Sequence, residues 1–261
     1  MKKRWFGYVV LGLLVYFLFL VAFAPANWAT WGLARVSQGR LNLNQTTGSL
    51  WHGQGELVLF QPGTAPYLAG HATWRINPLP IVIGRLNLDL QISGAGVEMT
   101  GQIGLARGGV RLYDLKAAFP SALLTTFYTP TALIAPAGQM RFNASNFRIE
   151  RAGIQGEAEL VWQNAASSLS RVNPLGDYRL YLNGRGKIAA VNLETTRGDL
   201  HLSGKGEWRA DGEYLQFQGT AKPLARAAEL ESLLILFGND QGKGQRSFVI
   251  NRRINLFAGL N

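Results

Sequence analysis

Arg85-Leu86-Asn87-Leu88-Asp89-Leu90-Gln91-Ile92 alternates polar and apolar side chains without a break. A strand sends successive side chains to opposite faces, so this stretch predicts a strand with one wet and one apolar face. The same period of two returns in Gln54-Gly55-Glu56-Leu57-Val58-Leu59, in Asp177-Tyr178-Arg179-Leu180-Tyr181-Leu182 and in Asp199-Leu200-His201-Leu202-Ser203-Gly204. The expected fold class is mainly β, built from half-buried antiparallel strands. Glycines separate them, as do Asn183-Gly184 and Asp211-Gly212, pairs that tolerate the positive φ of tight hairpins. The 31 glycines keep no three-residue period, which excludes a collagen-like chain.

The N-terminus reads differently. Trp5 to Ala24 is a run of 20 residues without a charge. At about 1.5 Å per residue a helix of that length crosses a hydrocarbon core of roughly 30 Å. Trp5, Phe6 and Tyr8 sit at one end and Trp28 and Trp31 just past the other, the levels that amphipathic rings prefer. Lys2, Lys3 and Arg4 precede the run, so residues 1–4 are expected in the cytoplasm, 5–24 in the membrane and the rest across it. A cleaved signal peptide is the rival, with Ala22-Phe23-Ala24 as a small-x-small site. The apolar run is too long for one, and Pro25 disfavours processing. Leu230 to Phe237, interrupted by Glu231, is too short to span.

Beyond the membrane segment the chain repeats itself at about 100 residues. Gly53, Gly55-Glu56-Leu57-Val58, Asn77-Pro78-Leu79, Gly101, Gly104 and Pro120 find counterparts in Gly153, Glu159-Leu160-Val161, Asn173-Pro174-Leu175, Gly204, Gly206 and Pro223. Two similar β-sheet repeats are therefore expected, over 25–130 and 131–240. Each closes with a short helix, one on Ala122-Leu123-Leu124 and Phe127, the other on the helically spaced Leu224, Ala227, Leu230, Leu233, Leu234 and Phe237 up to Gly238. A C-terminal strand and tail, with Ser247 to Ile254 as the strand, fill 241–261.

The net charge is +10. Three of it belong to Lys2, Lys3 and Arg4, and 26 less three basic residues against 16 acidic ones leaves +7 for the remainder. These charges alternate with acids, as in Lys205, Glu207 and Arg209, and describe a solvated face or a footprint for anionic lipid headgroups or an acidic partner. Nucleic acid is not an expected partner, because no helix-turn-helix, finger or RNA-binding aromatic pattern accompanies the charge.

Residues that could carry chemistry are few. There is no cysteine, and His52, His71 and His201 stand at no close metal-ligand spacing, so no metal, disulfide or cofactor is expected. His201 reads as a solvent-facing strand residue and His52 as a turn or strand-edge one. The Gly-x-Gly pairs never extend to a dinucleotide fingerprint, and neither a Gly-x-Ser-x-Gly elbow nor a His-Glu-x-x-His appears. Glu157 and Glu159 share one face of a strand and read as solvated rather than as an acid pair. Asn44-Gln45-Thr46 and Asn143-Ala144-Ser145 match the glycosylation sequon, a match too short to carry weight. No catalytic residue is assigned. Trp51, Trp74, Trp162 and Trp208 recur in equivalent glycine-rich strands, where large rings fill the core of a thin sheet or dock a partner.

The order of these features resembles the type II secretion system protein N family. The features are the basic start, the membrane helix, Thr47-Gly48-Ser49-Leu50-Trp51-His52-Gly53, Asn173-Pro174-Leu175-Gly176-Asp177-Tyr178 and Leu233-Leu234 with Phe237-Gly238. The resemblance implies a bacterial inner-membrane, single-pass, non-enzymatic component of a protein-export machine. Its partners would be other inner-membrane components of that system, and membrane lipid through the N-terminal helix. Two rivals follow from the residues alone. One is a periplasmic carrier of lipid or another hydrophobic ligand, with a curved β groove. The other is an outer-membrane barrel, disfavoured by the N-terminal helix and by the non-aromatic end Gly259-Leu260-Asn261.

Overall fold

The computed structural model describes residues 2–60, 66–127, 129–210 and 214–253, and among these not the side chains at 2–7, 14, 18, 127, 129 and 130. Helix α1 (Lys2–Ala22) is followed by α2 (Asn27–Val36). Six strands come next: β1 (Leu41–Gly48), β2 (His52–Leu59), β3 (Tyr67–Asn77), β4 (Arg85–Gly94), β5 (Val97–Ala106) and β6 (Gly109–Pro120). A short helical connection containing α3 (Leu124–Phe127) leads to β7 (Ala137–Glu150), β8 (Gly153–Ala166), β9 (Gly176–Gly186), β10 (Ile188–Gly198), β11 (Leu200–Arg209) and β12 (Tyr214–Pro223). Helix α4 (Ala227–Leu234) and strand β13 (Arg246–Arg253) complete the described chain. Among the described residues no helix is long and apolar enough to cross a membrane; α1 has 21 residues, part of whose side chains fall outside the described set.

All thirteen strands form one antiparallel sheet in chain order, β1 to β13. At the boundary expected near residue 130, β6 pairs with β7 through Leu115↔Ala144 and Ala117↔Phe142, so a single ladder runs across it. Consecutive antiparallel strands need only short reversals, and the chain supplies them from Gly94 to Val97, Ala106 to Gly109, Glu150 to Gly153 and Gly186 to Ile188.

Register aligns the alternation of every strand into two continuous faces. Trp74 lies opposite Leu90 and Ile76 opposite Leu88, while Ile92 meets Met99 and Ile103 meets Leu112. The apolar row continues through Leu112↔Phe147, Ile149↔Ile154, Leu160↔Leu180, Leu182↔Val191 and Trp208↔Leu215. On the other face Gln54, Thr73, Gln91 and Thr100 stand in line. The sheet buries its apolar face partly by curling. Cα atoms of β8 and β10, and of β9 and β11, approach within 8 Å, closer than the roughly 9.6 Å of two strand spacings in a flat sheet.

Three apolar clusters lie in the sheet, one within it and two under helices. The first joins Leu115, Phe147, Ile154, Val191, Trp208 and Phe217. A second lies under α4, whose Leu230, Leu233 and Leu234 cover Val172, Leu175, Tyr178 and Leu200. In the third, Ala26 and the partly buried Ala29 and Leu33 of the α2 region pack on Leu43, Leu59, Ala72, Trp74 and Ile92.

One expected turn is corrected. Asn183-Gly184 lies inside β9, not at a hairpin, and the chain reverses two residues later between Gly186 and Ile188. The glycine serves packing instead: a Cβ on Gly184 would stand 2.7 Å from the backbone carbonyl of Ile154 in β8. Asp211-Gly212 lies outside the described residues. The strand expected over Ser247 to Ile254 is β13 as far as Arg253, Ile254 and the tail to 261 lying outside the described residues, and the helical spacing after Pro223 is α4.

Candidate docking site

Trp51 occupies the short reversal between β1 and β2, half-buried, where its indole N–H donates to the carbonyl of Val21 in the last turn of α1 at 2.9 Å. Val21 O also accepts from Ala24 N–H at 3.2 Å, so a carbonyl in the last turn, where intrahelical partners run out, gains a second donor from the sheet. Leu50 N–H bonds the carbonyl of Ala24 at 2.9 Å, and Pro25 bridges Ser49. Three contacts thus fasten the foot of α1 to one hairpin. From the other side Ile76 N–H of β3 donates to Trp51 O at 2.7 Å and the Trp74 indole to Leu50 O at 3.0 Å.

The four tryptophans therefore divide. Trp74 is a buried core ring lying over Gly53, where no side chain could fit beneath it. Trp162 is half-buried, its centroid 6.0 Å from that of Tyr178 and its indole on Ala137 O at 3.0 Å. Trp208 is buried in the first cluster with an indole N–H that has no protein partner. Only Trp51 joins two parts of the molecule. Spacing alone could not separate these roles, since all four sit among glycines. The carbonyls they bond lie 24 to 30 residues away for Trp51, Trp74 and Trp162.

Among the described residues, the carboxylates of Glu157 and Glu159 on the polar face are engaged by local partners. Glu159 pairs with Arg179 at 2.9 Å, while Glu157 accepts from Asn183 at 3.3 Å. The Tyr181 hydroxyl, bonded to Glu157, is held above its ordinary range by that bond first and by desolvation second. His52 is exposed at the start of β2, and His201 is half-buried opposite Lys222. Among the described residues no three histidine or carboxylate groups converge as for a metal ion. An open hollow of about 700 Å³ on β1–β5 is lined by amide and hydroxyl side chains such as Gln54, Thr73, Gln91 and Thr100.

What the fold offers a partner is an edge. Edge strand β1 is covered by α2, through Thr30 Oγ1 to Leu43 O at 3.4 Å and Thr46 Oγ1 to Asn27 Oδ1 at 2.8 Å. At the opposite edge β13 pairs with β12 along its length and with Asp240 at Arg246 alone, and farther along it Val249 is 60% exposed. An open strand carries unpaired N–H and C=O groups that an added strand can take up.

A helix pinned to the first hairpin of a two-faced antiparallel meander, with one free edge, defines a β scaffold. The chain belongs to the type II secretion system protein N family, whose model matches residues 39–249, and so is a component of that secretion machinery. The match begins beyond α1 and α2 and covers the whole sheet but the end of β13. No curated protein and no solved structure matches the chain.

Proposed function

We propose that this chain is a non-enzymatic, inner-membrane-anchored element of the type II secretion system that docks other inner-membrane components of the machine. Helix α1 is the anchor, with Lys2, Lys3 and Arg4 in the cytoplasm and the β sheet in the periplasm. One observation carries the reading: the described side chains of α1 are apolar on every side and exposed, from Tyr8, Val9 and Leu11 to Tyr16, Phe17 and Phe19. A helix apolar all round needs a core or a membrane to cover it, and the contacts described above between the sheet and the α1 region lie at its foot. The uncharged run Trp5 to Ala24 in the sequence supplies the length. Docking falls to the free edge at β13, by addition of a partner strand.

Photocrosslinking in the native bacterium tests this, with the photoreactive residue at Val249 and, for the helix foot, at Trp51. Capture of type II secretion inner-membrane subunits at Val249 supports docking. Phospholipid adducts there, with no protein adduct, overturn it.

A second reading, a carrier of lipid or another hydrophobic ligand, rests on a different observation. The apolar face runs through all thirteen strands and is left half-exposed at Leu86, Leu88, Leu90, Ile103 and Leu105. Lipid co-purifying in fixed ratio with the protein, and lost when Leu88 and Ile103 become serine, would favour it.

A further inference from the structure

In a consecutive meander, the β1–β2, β3–β4 and β5–β6 reversals all lie at one end of the sheet. The foot of α1 is at that end, fixed to Trp51. Trp51 O accepts from Ile76, one residue before β3 ends, so the β3–β4 connection begins beside the helix foot. That connection is Pro78-Leu79-Pro80-Ile81-Val82-Ile83-Gly84. Ordinary surface loops are polar, yet here Leu79 is 78% exposed, Val82 87%, Ile83 69% and Ile81 41%.

The loop is built to hold these side chains outward. Residues Leu79–Ile83 form a 3-10 turn. Asn77 Oδ1 accepts from Leu79 N–H at 3.2 Å, Pro78 and Pro80 restrict the backbone, and Gly84 closes the turn at φ +70, a left-handed value that suits glycine. Exposed arginines, Arg75 and Arg85, bracket it, and no carboxylate occurs in the sequence between them. Aliphatic tips between cationic shoulders match the layering of an anionic bilayer surface, apolar beneath and phosphate above.

We propose that Leu79, Val82 and Ile83 form a wedge that enters the interfacial layer of the membrane holding α1, with Arg75 and Arg85 on its anionic headgroups. This rests on the anchor reading, and it adds a second point of attachment that stops the sheet from swivelling about a single helix. The partner is lipid rather than protein because the wedge adjoins the foot of the anchoring helix, where the bilayer surface is the nearest covering phase.

Because the chain has no cysteine, one can be placed at will. In the full-length protein, Leu13→Cys, Val82→Cys and Leu133→Cys each carry an environment-sensitive nitrobenzoxadiazole probe. Leu13 lies near the middle of the expected span and is exposed; Leu133 is as exposed as Leu79 but lies on the β6–β7 connection, at the far end of the sheet. Reconstitution uses vesicles of phosphatidylethanolamine and phosphatidylglycerol, with nitroxide quenchers at headgroup or acyl depth. The expected result is a blue shift at Val82 with loss of emission to the headgroup-level quencher, loss at Leu13 to the acyl quencher, and neither at Leu133. Quenching at Leu13 with a water-like, unquenched Val82 overturns the wedge and leaves the anchor standing. No quenching at Leu13 overturns the anchor and the wedge with it. A Val82 probe that shifts blue only when other secretion subunits are added identifies a protein cover and overturns the lipid assignment.

Discussion

Two residues show how closely this sheet is fitted. Gly184 accepts no side chain, because its Cβ would stand 2.7 Å from the Ile154 carbonyl carbon, whereas one on Gly104 would meet its nearest atom at 3.5 Å. Gly184→Ala is therefore expected to destabilise by about 1–3 kcal/mol through overpacking. Gly104→Ala should be neutral or slightly stabilising, since alanine leaves the unfolded chain less conformational entropy to lose on folding. Thermal melts of the two variants check the contrast. Tyr178 gives a pH-dependent test. Its hydroxyl is buried and donates to Leu200 O at 3.0 Å; the residue opposite Leu200 on β12 is Pro223, which has no N–H to offer. Burial first, then the charges of Asp177 and Asp199, push its pKa above the ordinary 10.0. Below pH 10 the folded and unfolded forms are both protonated and the full contribution is present. Above it the unfolded chain loses the proton first, and stability falls by roughly 1.4 kcal/mol per pH unit until the folded pKa is reached. Tyr178→Phe should be less stable by about 1 kcal/mol at neutral pH. That deficit should shrink above pH 10 in denaturant titrations, and a deficit constant with pH would remove the assignment. Glycine roles are where reading the sequence falls short: Asn183-Gly184 has hairpin chemistry, but the close approach of Ile154 that uses it comes from a strand 30 residues earlier.

At the scale of elements, alternation was legible and pairing was not. Arg85 to Ile92 declares its two faces, and the strand is there with the expected side turned inward. Whether strands on either side of residue 130 close two sheets or extend one depends on which edges meet. That is decided by β6 and β7, joined through a helical connection whose pattern is the same in either case. The α4 helix was legible from leucine spacing, because the period of 3.6 gathers Leu230, Leu233 and Leu234 on the face that covers Leu175 and Leu200. Leu234 is completely buried and Leu236, just beyond, is largely exposed. Leu234→Ala should cost about 2–5 kcal/mol by leaving a cavity under the helix. Leu236→Ala should leave the melting temperature within error, which calorimetry would show. The tryptophan that pins α1 was visible as a candidate, yet its partner, a backbone carbonyl 30 residues away, carries no side-chain signature.

For the whole molecule, the decisive property is that the sheet is open, with unequal edges. Natural sheets protect their edges, and here α2 lies along β1 as such a cover. Strand β13 is covered only at its start, where Asp240 bridges Arg246 and Ser247 donates to Gln241, and beyond that it presents Val249 and the partly exposed Ile250 beside Arg252 and Arg253. Were that edge merely tolerated, a charge on it would improve solubility and change nothing else; were it the docking strand, the same charge would obstruct strand addition. Val249→Lys discriminates between these because its side chain lies on the polar face opposite Gln218, away from Phe217 and Phe248 in the core. Its melting temperature is therefore expected to equal that of the parent within a degree or so, surface changes being worth about 0.5 kcal/mol or less. Secretion by the native system, and crosslinks from neighbouring Asn251 to other inner-membrane subunits, should both fall. Unchanged secretion and unchanged crosslinks would show that the partner reads another surface, and would return attention to the half-exposed apolar face of β4 and β5.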